Sequence, residues 1–173
     1  ACEWVGVPLR TIMELVNVKP ESTWALVESY DAAGLARSID INKLWNDAYL
    51  MYGQNGEPVR PENGYPVRLL LPGYEGNTSN KWIRRIQFSN SMFQMREETS
   101  RYADHLPDGS TLQYSVQCGV RSHIITPSGG MNLTETPPPR ELRGMAYSGY
   151  GKIAGVEIST DSGATWNLAR LHE

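Results

Sequence analysis

The sequence predicts an α+β protein in two parts: a mixed α/β domain over residues 1–111, then an all-β unit of sandwich type over residues 112–173. Three observations carry that reading. Apolar residues recur at helical spacing in 7–18. From Gly53 onward Gly, Pro and Asn return every few residues and cut the chain into strand-length pieces. The segment 152–171, KIAGVEISTDSGATWNLARL, alternates apolar and polar residues around a single turn.

In chain order, VPLRTIMELVNV (7–18) places Leu9, Ile12, Met13, Leu15 and Val16 at helical spacing, with Pro8 near a first helical position. TWALVESY (23–30) reads as a strand, and Asp31-Ala32-Ala33-Gly34 as the turn after it. DINKLWND (40–47) reads as a helical turn and AYLMY (48–52) as a short buried strand. Beyond Gly53 the loops GQNGEPVRPENGYP, LPGYEGNTSN, LPDGS, TPSGG and TPPPR separate short strands predicted at 67–72, 82–88, 111–117, 122–127, 140–149, 152–160 and 165–171. In the last hairpin Val156 and Ile158 alternate with polar neighbours, Asp161 accepts backbone N–H groups, Gly163 supplies a positive φ, and Trp166 returns to the core. A sheet of so few strands leaves one apolar face uncovered, to be covered by further sequence or by a partner chain.

Composition narrows the function. The 16 basic and 19 acidic residues give a net charge of -3, which offers no general attraction for nucleic acid, so any anion site has to be local. No apolar run approaches the roughly 20 residues of a membrane helix, so no membrane span is expected. The start, Ala1-Cys2-Glu3-Trp4, lacks the pattern of a signal peptide. Two cysteines, Cys2 and Cys118, are too few and too far apart for a disulfide framework or a zinc site. His105, His123 and His172 are scattered, so no metal site is expected from them. Nucleophile-elbow, phosphate-loop, zinc-protease and dinucleotide signatures are absent.

The residues that remain are suited to an anion. Arg68 stands at the mouth of a short strand, where a guanidinium can make a bidentate contact with anionic oxygen. The GNTSNK loop (76–81) adds backbone N–H groups, hydroxyls, amides and the point charge of Lys81. Composition alone favours the plainer reading, in which Arg68 pairs with a nearby carboxylate and Asn77–Asn80 only turn the chain.

The stretch YGQNGEPVRPENGYPVRLLLPGYEGNTSNKWIRRI (52–86) resembles the pterin-binding half of the sulfite oxidase family of molybdenum enzymes. CEWVGVPL (2–9) and REETSRYADHLPDG (96–109) are similar to its sulfane dehydrogenase branch, the molybdenum subunit that partners a c-type cytochrome in periplasmic sulfur oxidation. GMAYSGYGKIAGVEISTDSGATW (144–166) resembles the immunoglobulin-like dimerisation domain of these enzymes. The resemblance implies that Arg68 and Lys81 hold the phosphate of a molybdenum-molybdopterin cofactor, that Ser79 and Asn80 touch the pterin through backbone atoms, and that Asp31 accepts from the pterin ring. It places Asn63 where sulfite oxidases often carry a histidine, and makes Tyr102 the candidate active-site tyrosine, with Arg96 and Arg101 able to attract an anionic sulfur substrate. A homodimer through the second domain, a c-type cytochrome subunit as electron acceptor, a small anionic or protein-bound sulfur substrate and a periplasmic location are implied with it.

The segment carrying the family's molybdenum-ligating cysteine lies upstream of the stretch matching CEWVGVPL, so Cys2 is not expected to be that ligand and the sequence reads as an internal fragment of a longer enzyme. A reading of a different class rests on STDSGATW (159–166), a hairpin shared with secreted β proteins: a carbohydrate-binding or adhesive β-sandwich module. The hairpin occurs once, whereas a propeller repeats its signature. A periplasmic sulfoxide-reducing relative generally lacks the second domain, which argues against it here.

Overall fold

A computed structural model describes residues 2–114, 116–131 and 141–172, and the chain clusters into two compact units, Ala1–Gln117 and Cys118–Glu173. The first unit begins with β1 (Trp4–Pro8), which runs straight into α1 (Leu9–Leu15). The predicted helix over 7–18 is therefore shorter at both ends. Leu9 and Met13, one turn apart, are fully buried, while Leu15, the last helical residue, and Val16, its C-cap, are exposed. Then follow β2 (Trp24–Ser29), β3 (Ala36–Asp40) and α2 (Ile41–Asp47). Asp40 starts α2 by accepting a hydrogen bond from the Asn42 N–H at 2.7 Å, which satisfies one of the first-turn donors.

Next come β4 (Tyr49–Gln54), β5 (Glu57–Pro58), β6 (Arg68–Leu70), β7 (Ile83–Ser89), β8 (Asp104–His105) and β9 (Thr111–Leu112). β4 and β5 are joined by Asn55-Gly56, both at positive φ (52° and 80°), the backbone that a two-residue hairpin demands. Two larger antiparallel sheets and the small β8–β9 ribbon result among the described residues. β2 lies between β3 and β7, and β4 pairs with β1 along one edge and with β5 and β6 along the other. α1 and α2 cover them, and the core gathers Leu9, Met13, Val27, Ile39, Leu44, Leu69 and Leu71. Each such side chain contributes about 1.5–3 kcal/mol by leaving water. This packing fixes the ends of β2, β3 and β6, where the polar loops meet.

Among the described residues of the strand predicted at 111–117, β9 alone forms a ladder, paired with β8 inside the first unit. A single bridge from Gln117 to Tyr74 ties that segment to the loop after β6.

The second unit has β10 (Arg121–Thr126) antiparallel to β11 (Arg143–Tyr147), and a hairpin of β12 (Glu157–Ile158) and β13 (Asn167–Leu168). The TPPPR loop predicted at 136–140 lies outside the described residues. Asp161 builds the hairpin turn as expected, accepting from the Thr165 N–H at 2.9 Å and the Thr165 Oγ1–H at 2.6 Å, with Gly163 at φ 89°. Trp166 does not return to a core. It is 60% exposed and folds over its own turn, its Nε1–H donating to the Gly163 carbonyl at 3.2 Å. The reason is the thinness of the unit: none of its described apolar side chains is buried.

Candidate functional site

The last residue of β2, Leu35 just before β3, the first residue of β6 and the loop 76–82 form a cavity of about 260 Å³ lined by Ser29, Leu35, Arg68, Gly76, Asn77, Ser79, Lys81 and Trp82. Gly64 makes the approach of the two cations possible. A Cβ on this residue would sit 2.9 Å from the Lys81 Cβ and 3.1 Å from the Arg68 Cβ, and its φ of 114° is one that side-chain-bearing residues rarely adopt.

Arg68 is half-buried. Its Nη1 donates to the Asn63 carbonyl at 3.1 Å and its Nη2 to the Ser79 carbonyl at 3.2 Å, so the guanidinium ties the 61–64 turn to the 75–82 loop. The Trp4 ring lies 5.0 Å from its Cζ, a cation–π contact. Nε is buried without a partner among the described residues. Burial lowers the Arg68 pKa, because the charged form has lost water. Lys81 donates from Nζ to the Glu62 carbonyl at 2.7 Å and lies over the Trp82 ring at 5.4 Å. Among the described residues neither cation forms an ion pair with a carboxylate. Of the two structural alternatives left open by composition, a paired Arg68 is thus set aside: its partners are carbonyls, which hold it without cancelling its charge.

The neighbours are rigid. The Ser79 Oγ accepts from the Leu71 N–H at 3.1 Å. The buried Asn80 amide donates to the Val27 carbonyl at 3.2 Å and the Ser29 Oγ at 3.1 Å, while its Oδ1 has no partner among the described residues. Trp82 follows at a positive φ of 50°, strained for a bulky side chain, and its indole N–H is anchored on the Pro61 carbonyl at 2.7 Å.

The sequence-derived candidates are therefore brought together unevenly. Arg68, Ser79 and Lys81 line the cavity; Asn80 braces it from behind, turned toward β2. Asp31 accepts from the Leu35 N–H at 3.1 Å and so fixes the turn that presents Leu35 to the cavity wall. Asn63 meets Arg68 through its carbonyl, its amide donating to Gln54 Oε1 at 2.9 Å. Tyr102 is not part of the lining: its ring lies under the guanidinium of Arg37, 4.7 Å from Cζ. Arg96 and Arg101, candidates from sequence for attracting an anionic substrate, are exposed and outside the cavity lining, while Glu97 and Glu98 beside them are buried and Arg96 pairs with Glu97. Cys2 is exposed, and among the described residues no group of three His, Cys, Asp or Glu side chains gathers as a metal site.

Sequence reasoning missed Arg37, Glu98 and Asn77. Arg37 is 1% and Glu98 0% exposed, and they pair at 2.9 Å. Arg37 Nη1 also donates to Asn77 Oδ1, on the cavity wall. The one available signal was an arginine within ARSID, a stretch otherwise patterned as a buried strand.

A mixed α/β domain that turns two cations without carboxylate partners among the described residues onto one cavity, followed by a separate all-β unit, is of the α+β class, with a cavity suited to an anion. The model of the oxidoreductase molybdopterin binding domain matches residues 1–96, and that of the Mo-co oxidoreductase dimerisation domain matches residues 113–173. The chain belongs to the sulfite oxidase family of molybdopterin-binding oxidoreductases. It is 33% identical to the nitrate reductase [NAD(P)H] of Hordeum vulgare and 29% identical to the inducible nitrate reductase [NADH] 2 of Glycine max, in each case over 97% of this chain and 22% of the relative. It is 38% identical to the sulfane dehydrogenase SoxCD from Paracoccus pantotrophus, whose crystal structure it matches with a TM-score of 0.93 over 99% of this chain and 44% of that one. The chain thus spans about a fifth of the length of these curated relatives. Among the described residues no helix is long and apolar enough to cross a membrane.

Proposed function

We propose that the chain is part of a molybdenum-dependent enzyme that oxidises a reduced sulfur centre, sulfane sulfur or sulfite, and passes the electrons to a c-type cytochrome in the periplasm. The observation that carries this reading is the convergence of Arg68 and Lys81, neither paired with a carboxylate among the described residues, on one cavity. The 38% identity to a sulfane dehydrogenase supports the choice of sulfur.

The residues fit a phosphate-bearing pterin. A half-buried guanidinium with one unpartnered N–H and an ammonium at the same cavity are suited to a multiply charged phosphate. When bound, the cofactor supplies two-electron redox chemistry at molybdenum. In this reading Arg68 fixes the orientation of the phosphate because its own position is locked by two carbonyls. Lys81 neutralises charge from a more mobile stem. Ser79 lines the cavity wall, Asn80 braces it from behind, Asp31 holds the Leu35 turn, and Asn63 holds Arg68. Tyr102 acts behind the wall, against Arg37.

The nitrate reductase relatives favour a second reading, oxygen removal from nitrate. One set of measurements on the full-length protein purified from its host separates the readings. Elemental analysis is expected to find close to one molybdenum per chain, and turnover is expected with thiosulfate or sulfite and oxidised cytochrome c. Nitrate reduction without sulfur oxidation would overturn the substrate. Absence of molybdenum would overturn the whole reading and favour a binding module.

A further inference from the structure

We infer that the buried Arg37–Glu98 ion pair, capped by Tyr102, is a positioning device that locks Asn77 and with it the loop wall of the cofactor cavity. The inference rests on the reading that this cavity holds the pterin phosphate.

Arg37 lies on β3 directly across from Val27 of the core, on the same face as Ile39. A guanidinium there is an expensive choice, because an apolar side chain of similar volume would stabilise the fold at least as well. What an arginine adds is reach in three directions at once. Nε meets Glu98 Oε1 at 2.9 Å, Nη1 meets Asn77 Oδ1, and the planar face rests on Tyr102. Glu98 is equally committed: Oε1 accepts from the Ser38 N–H at 3.1 Å and Oε2 from the Met95 N–H at 3.1 Å. The pair therefore joins β3 to the helical turn Glu97–Arg101 and has no freedom to follow solvent.

Asn77 transmits that rigidity to the cavity. Its Oδ1 is held by Arg37 and its Nδ2 donates to Glu75 Oε2 at 2.9 Å, so the amide is gripped from both sides. Asn77 sits in the turn Gly76–Thr78, two positions before Ser79, whose carbonyl receives Arg68. A wall that moved would carry Ser79 and Lys81 with it. A lysine at position 37 keeps a charge for Glu98 but, with one nitrogen at the tip of a flexible stem, does not serve Glu98 and Asn77 together.

The test uses the full-length holoenzyme and reads pterin retained per chain after prolonged dialysis, from the fluorescence of released oxidised pterin, beside the thermal unfolding midpoint. The variants are R37K, R37M/E98Q (both charges removed, an amide oxygen left for the Ser38 N–H), N77A, and R37K/N77A. R37K, R37M/E98Q and N77A are each expected to speed pterin loss about tenfold, the scale of one charge-assisted hydrogen bond. R37K/N77A is expected to lose pterin no faster than N77A alone, since Arg37 acts through Asn77. Wild-type retention in R37K with an unchanged melting midpoint would overturn the inference, as would losses that multiply in R37K/N77A. A wild-type enzyme without pterin would overturn the reading of the cavity itself, and this inference with it.

Discussion

Arg68 and Lys81 share a cavity but are held in different ways, and the difference sets what each substitution does. Arg68 bridges two carbonyls on separate turns, so Arg68→Lys removes one of the two ties as well as the bidentate geometry. We expect that variant to lose about 1–2 kcal/mol of stability in urea unfolding, with Lys81→Arg close to neutral by the same measurement. Arg37 makes a sharper case. Arg37→Met alone leaves Glu98 charged at 0% exposure with only backbone partners, which is expected to cost about 3–5 kcal/mol, whereas the double change R37M/E98Q should recover most of it. A calorimetric melt of the two variants side by side checks the sign of that recovery.

At the scale of the element, the turn 61–64 and the hairpin 157–168 each rest on one special residue. Gly64→Ala would force a Cβ to within 2.9 Å of Lys81 Cβ at φ 114°, so the turn must open. A destabilisation of about 1–3 kcal/mol is expected, together with a lower pterin content, because both cations move with the turn. In the hairpin, Asp161 is fully exposed yet its carboxyl is held down to about 2 from an ordinary 3.8, first by the Thr165 hydroxyl, then by the Thr165 N–H and the Ser159 hydroxyl. A depressed carboxyl stabilises the turn above its unfolded value and ceases to do so as pH falls through the folded one. The Thr165 amide should therefore lose protection against hydrogen exchange between about pH 4 and pH 2, and Asp161→Asn should abolish that dependence. Local chemistry of this kind was legible in sequence: STDSGAT is a contiguous signal. The length of α1 was not, since Leu15 and Val16 keep helical spacing and only the burial of Leu9 and Met13 shows where the helix ends.

For the whole molecule the second unit sets the terms. Ile124 and Ile125 of β10 are 64% and 49% exposed, so the β10–β11 ribbon leaves apolar side chains uncovered. Exposed apolar surface of that kind is suited to an interaction. The match to a dimerisation domain supports a second copy as its cover. Sedimentation of the full-length protein should give a dimer, and Ile124→Asp with Leu168→Asp should shift it toward monomer with the first unit's melt unchanged.

The sequence by itself determined the two-part α+β architecture, the family, and a chain segment from Arg68 to Lys81 fit to hold an anion, because each of these is written in runs of neighbouring residues. Tertiary structure decided the rest. Whether two cations some distance apart in the chain face one cavity, and whether an arginine on a buried strand meets a glutamate from a later turn, depends on loop closure around a packed core. No local pattern encodes that geometry, so Arg37, Glu98 and Asn77 became visible only once β3, the Gly76–Thr78 turn and the Glu97–Arg101 turn were in place.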